Sequence, residues 1–342
     1  RHRLILLRHF FTKLPVVKEM LTFLGARERE DLYKTLKPTR EGGELFIDVT
    51  HVYKKDLKTG IQRVVRAIQH QFEKDNFSGY SLAPVFLTDK DDYWHYEYVT
   101  NAGEVATPKN GDIFVGLDFN SNVIEASAAG LFDDWRARNT RIVFVVYDIL
   151  PIKHPEWWPS DVGAIHRLWL KSIYAISDKL ICISNAVCND VQKEVNKFYF
   201  TKGCKEIPWF HLGADIENTL PTRGCPESGE LLIKNLKSKP SFLMIGTIEP
   251  RKGHDQCLAA FEKLWELGND INLVIVGKQG WMVEDLMTKI LGHKELDRRL
   301  FWLPDVTDEY LEKIYQYSSC LIAASFGEGF GLPLIEAAQH RL

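Results

Sequence analysis

The stretch Ser325-Phe-Gly-Glu-Gly-Phe-Gly-Leu-Pro-Leu-Ile-Glu336 constrains the fold more than any other part of the chain. It is fed by a short apolar run, Cys320 to Ala324, which reads as a buried strand. Glycines at 327, 329 and 331 let the backbone turn sharply and approach a ligand. Pro333 then suits the first turn of a helix, where a fixed φ helps and a missing N–H does no harm. A strand, a glycine turn and a helix N-terminus form the anion-binding geometry of open α/β sheets. Two carboxylates, Glu328 and Glu336, sit on this anion-friendly rim. That combination suits a ligand carrying hydroxyls as well as phosphate, because a carboxylate accepts hydrogen bonds from sugar and ribose O–H groups.

Gly327-x-Gly329-x-Gly331 lacks the Gly-x-Gly-x-x-Gly spacing of a dinucleotide turn and does not open a βαβ unit. Instead, Glu328-Gly-Phe-Gly-Leu-Pro-Leu-Ile-Glu336 resembles the Glu-x7-Glu signature of retaining glycosyltransferases of family 4, the group 1 glycosyltransferases. A second motif agrees. Gly246-Thr-Ile-Glu-Pro-Arg251-Lys252-Gly253 follows the apolar run Ser241–Ile245 and is similar to that family's donor-phosphate turn. Two fixed positive charges beside helix N–H groups suit a diphosphate. The resemblance covers about residues 44–342. It implies an α/β chain of GT-B fold, with two Rossmann-like doubly wound domains facing a cleft. In the family, sheet and a closing helix follow the last helix seen here, so the C-terminal domain reads as truncated and the chain as a piece of a longer protein.

A length of 342 residues accommodates two domains with ample cores. The net charge of −3 gives no reason to expect nucleic acid. The basic residues are unevenly spread, with ten Lys/Arg against four Asp/Glu in residues 1–40. That region reads as a basic amphipathic helical extension or linker over 1–43, suited to an anionic membrane surface, to a neighbouring domain of the parent protein, or to packing on its own. The six cysteines contain no Cys-x-x-Cys pair, and Cys182 and Cys320 lie in strand-like apolar runs, so buried free thiols in a reducing compartment are expected. No apolar run is long enough for a membrane helix. The expected location is cytoplasmic, with contact at the inner face of the plasma membrane left open through the N-terminal stretch.

Along the chain, strands are expected at Leu45–Thr50, Tyr80–Leu87, Asp112–Leu117, Arg141–Tyr147 and Lys179–Ser184 of a domain spanning 44–215. The Thr59-Gly60 loop opens a helix with Val64, Val65, Ile68 and Phe72 on one face. The family's first such loop contacts the donor, which makes Gly60 a candidate for close backbone approach. Arg63 suits either a phosphate or a surface carboxylate. Asp148 ends a strand where open sheets place ligands. Relatives resembling this chain carry an Asp or His-Asp there, near the transferred sugar, whereas Tyr147 stands here in the place of the His. His154 is the other titratable group nearby, with a loop-structural role as its alternative. Trp157 and Trp158 suit sugar stacking or domain packing. Phe210-His-Leu-Gly-Ala-Asp215 resembles the motif closing the first domain, and the Pro, Gly and Lys content of 216–240 marks a linker region. The second domain, 241–342, alternates strands at Ser241, Ile271 and Leu300 with helices, and Thr307 is placed to cap one of them.

The resemblance implies metal-independent transfer of a glycosyl group from a nucleotide sugar. Catalytic roles fall to Asp148 and Glu328. Donor-binding roles fall to Gly60, Gly246, Arg251, Lys252, Glu328, Gly329, Phe330, Gly331 and Glu336. Charge growing on the leaving diphosphate would be met by Arg251, Lys252 and the amides at 329–331. Glu328 would orient sugar hydroxyls and Glu336 the ribose diol. The Tyr147–Ile152 and His211–Asp215 stretches resemble those of mannosyltransferases building O-antigen or capsule chains, which favours GDP-mannose as donor, with UDP-sugars open, and a glycan or lipid-linked glycan as acceptor. Two alternatives stand beside this reading: a non-catalytic nucleotide-sugar-binding scaffold domain, and a GT-B-like nucleotide-sugar epimerase or hydrolase.

Overall fold

Short continuous apolar runs such as Ile142-Val-Phe-Val-Val146 have no polar face to offer water, so they become strands covered on both sides. The computed structural model describes residues 42–55, 60–74, 79–90, 93–198, 203–204, 206–212, 224 and 226–342. The N-terminal basic stretch, Thr59, Gly213-Ala-Asp215 and most of residues 216–226 lie outside the described residues, and the rest of the expected 216–240 linker is mostly a helix, Glu227–Ser238, whose Leu232, Ile233 and Leu236 pack into the core of the second unit. The chain divides into two compact units. One runs through Ile149 and resumes from Ala164 to Thr219; the other comprises Leu150–Gly163 and Leu220–Leu342.

In the first unit the strands are β1 (Glu44–Asp48), β2 (Ser81–Lys90), β3 (Tyr93–Tyr98), β4 (Ile113–Gly116), β5 (Arg141–Val146) and β6 (Lys179–Cys182). They form one sheet in the order β3-β2-β1-β4-β5-β6, parallel except for β3. The strand order therefore reverses between β1 and β4, the place where doubly wound sheets bind ligands. One side is packed by Phe46, Tyr96, Phe114, Phe132, Trp135 and Phe144, whose rings meet at tilted and edge-on angles. Sequence reading had no strand at β3. Its Tyr-Trp-His-Tyr-Glu-Tyr run is rich in polar groups, yet it buries the adjacent residues His95 and Tyr96, so it lacks a clean alternation.

The second unit holds β7 (Ser241–Ile245), β8 (Asn272–Val276), β9 (Leu300–Leu303) and β10 (Cys320–Leu321), all parallel, in the order β10-β7-β8-β9. Alternate residues of β7 and β8 feed opposite faces. Met244, Leu273 and Ile275 pack with Leu258, Phe261 and Trp265, while Leu243, Val274 and Val276 pack with Leu236, Tyr310 and Ile314. Burial on both faces is what the doubly wound pattern requires. Its switch point lies between β7 and β10. The edge strand β10 is shorter than the expected Cys320–Ala324 run, and Cys320 is exposed there instead of buried. Cys182, Cys188, Cys204 and Cys257 are buried free thiols.

Candidate functional site

At the carboxyl end of β7 the chain turns through Gly246, whose φ of 141° is open to glycine but strained for other residues. A Cβ built there would lie 3.4 Å from the Lys252 side chain. A short 3-10 turn, Pro250–Lys252, then leads through Gly253 into the helix His254–Glu266, whose first turn has no side-chain cap. Arg251 and Lys252 are thereby held at the switch point. β10 ends beside them, and its exit is tied to the same loop: Phe326 N donates to Arg251 O at 2.8 Å, and Gln256 Nε2 to Ala324 O at 2.8 Å.

The two cations converge on Glu328. Lys252 Nζ donates to its Oε1 at 2.6 Å and Arg251 Nη1 to its Oε2 at 3.2 Å, while Ser325 Oγ donates to Oε1 at 2.7 Å. Arg251 also pairs with Glu249 at 2.6 Å and donates to Gly327 O at 2.9 Å. Partial burial raises the Glu328 carboxyl, but the charge and hydrogen bond of Lys252, with Ser325 and Arg251, outweigh that and hold it below the usual carboxylate range. Two positive and two negative side chains make this cluster neutral. Any anion drawn to Lys252 would have to compete with Glu328 for it.

Gly331 caps the following helix, Leu332–Gln339, in the left-handed region at φ 90°, with Pro333 in the first turn and no side-chain cap. Gly327 and Gly329 are not at positive φ, so the sharp turn rests on Gly331. Gly329 and Phe330 are half-buried. Glu336 is the fifth helical residue, in the second turn instead of the first. It is buried and accepts a 2.6 Å hydrogen bond from Tyr315 Oη. The second unit thus gathers Gly246, Arg251, Lys252 and Glu328 at one end of its sheet, with Gly329, Phe330 and Gly331 following directly and Glu336 packed on Tyr315.

Asp148 and Gly60 belong to the first unit. Asp148 follows β5 and is half-buried, and its carbonyl lies 3.2 Å from His166 Nε2. His166 had no signal in the sequence. It stacks on Phe119 at 4.8 Å, and burial holds it below the ordinary imidazole range against the pull of Asp148. Tyr147 is buried and donates to Leu117 O at 2.8 Å, a structural bond. Gly60 is exposed and begins the helix Gly60–Lys74. At this unit's own switch point Asp48 accepts from Thr50 and from Tyr96 Oη at 2.9 Å, while Asp118 accepts from the amides of His51 and Val52 at 2.8 and 3.0 Å. Burial pushes both carboxyls up to about 6.

His254, directly after the cation turn, is another residue that sequence reading passed over. It is buried, neither ring nitrogen has a hydrogen-bond partner, and burial followed by the charge of Lys252 lowers its pKa to about 4. His154 stacks on Trp157 at 4.1 Å and lies 3.1 Å from Glu156. Among the described residues no group of three or more His, Cys, Asp or Glu is arranged to hold a metal ion, and no helix is long and apolar enough to cross a membrane.

Residues 233–342, the stretch carrying both motifs, match the family described as "Glycosyl transferases group 1". Over 314 residues, 89% of it, the chain is 38% identical to the serotype-specific mannosyltransferase WbdA of Escherichia coli. Residues 233–342 belong to the group 1 glycosyltransferases. It spans 37% of the length of that relative. Among solved structures, the chain is similar to the catalytic domain of starch synthase IV from Arabidopsis thaliana, bound to ADP and acarbose, with a TM-score of 0.57 at 13% identity over 87% of this chain and 81% of that one. It is also similar to WaaG, a glycosyltransferase involved in lipopolysaccharide biosynthesis, with a TM-score of 0.52 at 13% identity over 87% and 79%. The fold is the α/β GT-B class with two Rossmann-like units.

Proposed function

We propose that the chain transfers mannose from GDP-mannose, with retention of configuration, to a glycan or lipid-linked glycan acceptor in bacterial O-antigen or polysaccharide assembly. The observation that carries this reading is the convergence of Arg251 and Lys252 on Glu328 at the switch point between β7 and β10. Cations already placed there meet the charge that grows on a departing diphosphate without reorganising, and this lowers the barrier. The start of Leu332–Gln339, which no side chain caps, adds a helix dipole beside Gly331. Glu328, exchanged from Lys252 by the phosphates, takes the sugar hydroxyls. Glu336, oriented by Tyr315, takes the ribose diol. Gly246 and Gly60 let backbone approach the donor, and Asp148 acts on the reacting sugar. Identity to a mannosyltransferase over most of the chain supports mannose as the sugar. The setting we assign is cytoplasmic, at the inner face of the membrane that supplies a lipid-linked acceptor.

The test is nucleotide release from GDP-mannose, UDP-glucose and UDP-N-acetylglucosamine, with and without a lipid-linked glycan. Acceptor-dependent release of GDP alone, lost in Glu328→Ala and Lys252→Ala, is the expected result. Release that ignores the acceptor would point to hydrolysis, and binding without release to a scaffold.

A further inference from the structure

The segment Leu150–Gly163 belongs to the second unit although it follows β5 in sequence. It crosses the unit as a strap, and its aromatic residues bury against the loops that carry the candidate site. Trp281 Nε1 donates to Trp157 O at 2.9 Å and pins the strap's backbone. A Cβ added at Gly327 would stand 3.0 Å from the Trp157 ring and 3.1 Å from Leu150, so the ring and the turn are already in contact. Phe326 lies beside Trp157 at 6.2 Å between centroids, and His154 covers Trp157 at 4.1 Å. The neighbouring residue, Trp158, sits 5.9 Å from the Arg251 guanidinium carbon and 6.4 Å from the Trp281 ring. Arg251 in turn holds Gly327 O and Glu328.

Two adjacent tryptophans thus touch the two sides of one contact. Trp157 backs the turn that bears Glu328, and Trp158 backs the guanidinium that grips it. A ring against a guanidinium shields its face from water while leaving the in-plane N–H groups free to donate. We propose that Trp157 and Trp158 are positioning residues of the donor site, so that nucleotide affinity is set in part by a strap lying outside residues 233–342. This rests on the reading of Arg251, Lys252 and Glu328 as the donor-phosphate site. The strap acts through preorganisation: Arg251 and the 326–328 turn are held in place before the donor arrives, and less ordering remains to be done on binding.

The experiment is calorimetric binding of GDP and UDP to the whole chain, with thermal melting alongside. The variants are Trp158→Ala, Trp158→Phe, Trp157→Phe, Arg251→Lys and the Trp158→Ala/Arg251→Lys double. Trp158→Ala should weaken nucleotide binding about tenfold, and Trp158→Phe by no more than about threefold, because a smaller ring still covers the guanidinium. In the Arg251→Lys background the Trp158→Ala change should cost less than about twofold, since the two residues act as a unit. Trp157→Phe should weaken binding by about threefold, because the smaller ring leaves part of the Gly327 turn unsupported. Unchanged binding in Trp158→Ala, or the same loss with and without Arg251, would overturn the proposal. If the unmodified chain binds neither GDP nor UDP, the donor-site reading falls and the strap's role falls with it. If the unmodified chain binds and Trp158→Ala leaves that binding intact, only the strap's role is lost.

Discussion

Glu328 holds Lys252 at 2.6 Å and Arg251 at 3.2 Å, so the site is closed by its own carboxylate until a stronger anion replaces it. Removing that charge and removing a cation should therefore have opposite effects on nucleotide binding. Glu328→Gln frees Lys252 and leaves Arg251 paired with Glu249 alone, and should bind GDP as tightly as the natural chain, or a few times more tightly, while transfer falls by about a hundredfold or more. Lys252→Ala should weaken both. Weaker GDP binding in Glu328→Gln, read by calorimetry, would contradict the exchange. His254 gives a pH signature. Its folded pKa, lowered to about 4, lies beneath the unfolded value near 6.5, so acidification through that interval protonates the unfolded chain first and stability falls. His254→Phe should flatten the melting temperature between pH 6.5 and 4 relative to the natural chain. Arg251, Lys252, Glu328 and Glu336 were legible as a group because each lies in a short contiguous motif after an apolar run. His166 and His254 were not, because nothing in the sequence says which titratable side chain a fold will bury.

The elements follow local chemistry closely where they are capped. Thr307 was legible as a cap, and its Oγ1 accepts from Tyr310 N at 3.2 Å to start the helix Asp308–Tyr317, while it donates to Gly224 O at 2.7 Å. Thr307→Ala should lower the stability of the second unit by about 1 kcal/mol in urea unfolding. An unchanged midpoint would mean that the end of this helix is held by packing alone. Ser184 does the same for Asn185–Val195. Sheet order was less legible. β10 joins β7 across 74 residues of intervening chain, and only that pairing brings the Glu328 turn to the Arg251 turn. The strap Leu150–Gly163 was the least legible element, since two adjacent tryptophans equally suit a ligand, a surface or a loop belonging to the other half of the sequence.

At the scale of the molecule, the described residues form two sheets, each with its own core and its own strand-order reversal. Chains built this way depart from two-state unfolding. Calorimetry should resolve two transitions, with Leu273→Ala lowering the one that belongs to the second unit, because Leu273 is fully buried there. GDP at a hundred times its dissociation constant should raise that same transition by about 2.7 kcal/mol of stability and leave the other in place. A uniform shift of both would contradict a GDP site held chiefly by Arg251, Lys252 and Glu336 of the second unit. The most direct measurement of the central claim is the fate of the sugar itself. The chain would be given GDP-mannose carbon-13-labelled at the anomeric position, together with a lipid-linked glycan, and the products followed by NMR. The account expects the label in a new glycosidic linkage of retained configuration, absent in Lys252→Ala. Labelled free mannose formed equally with and without the glycan, or an inverted linkage, would contradict it.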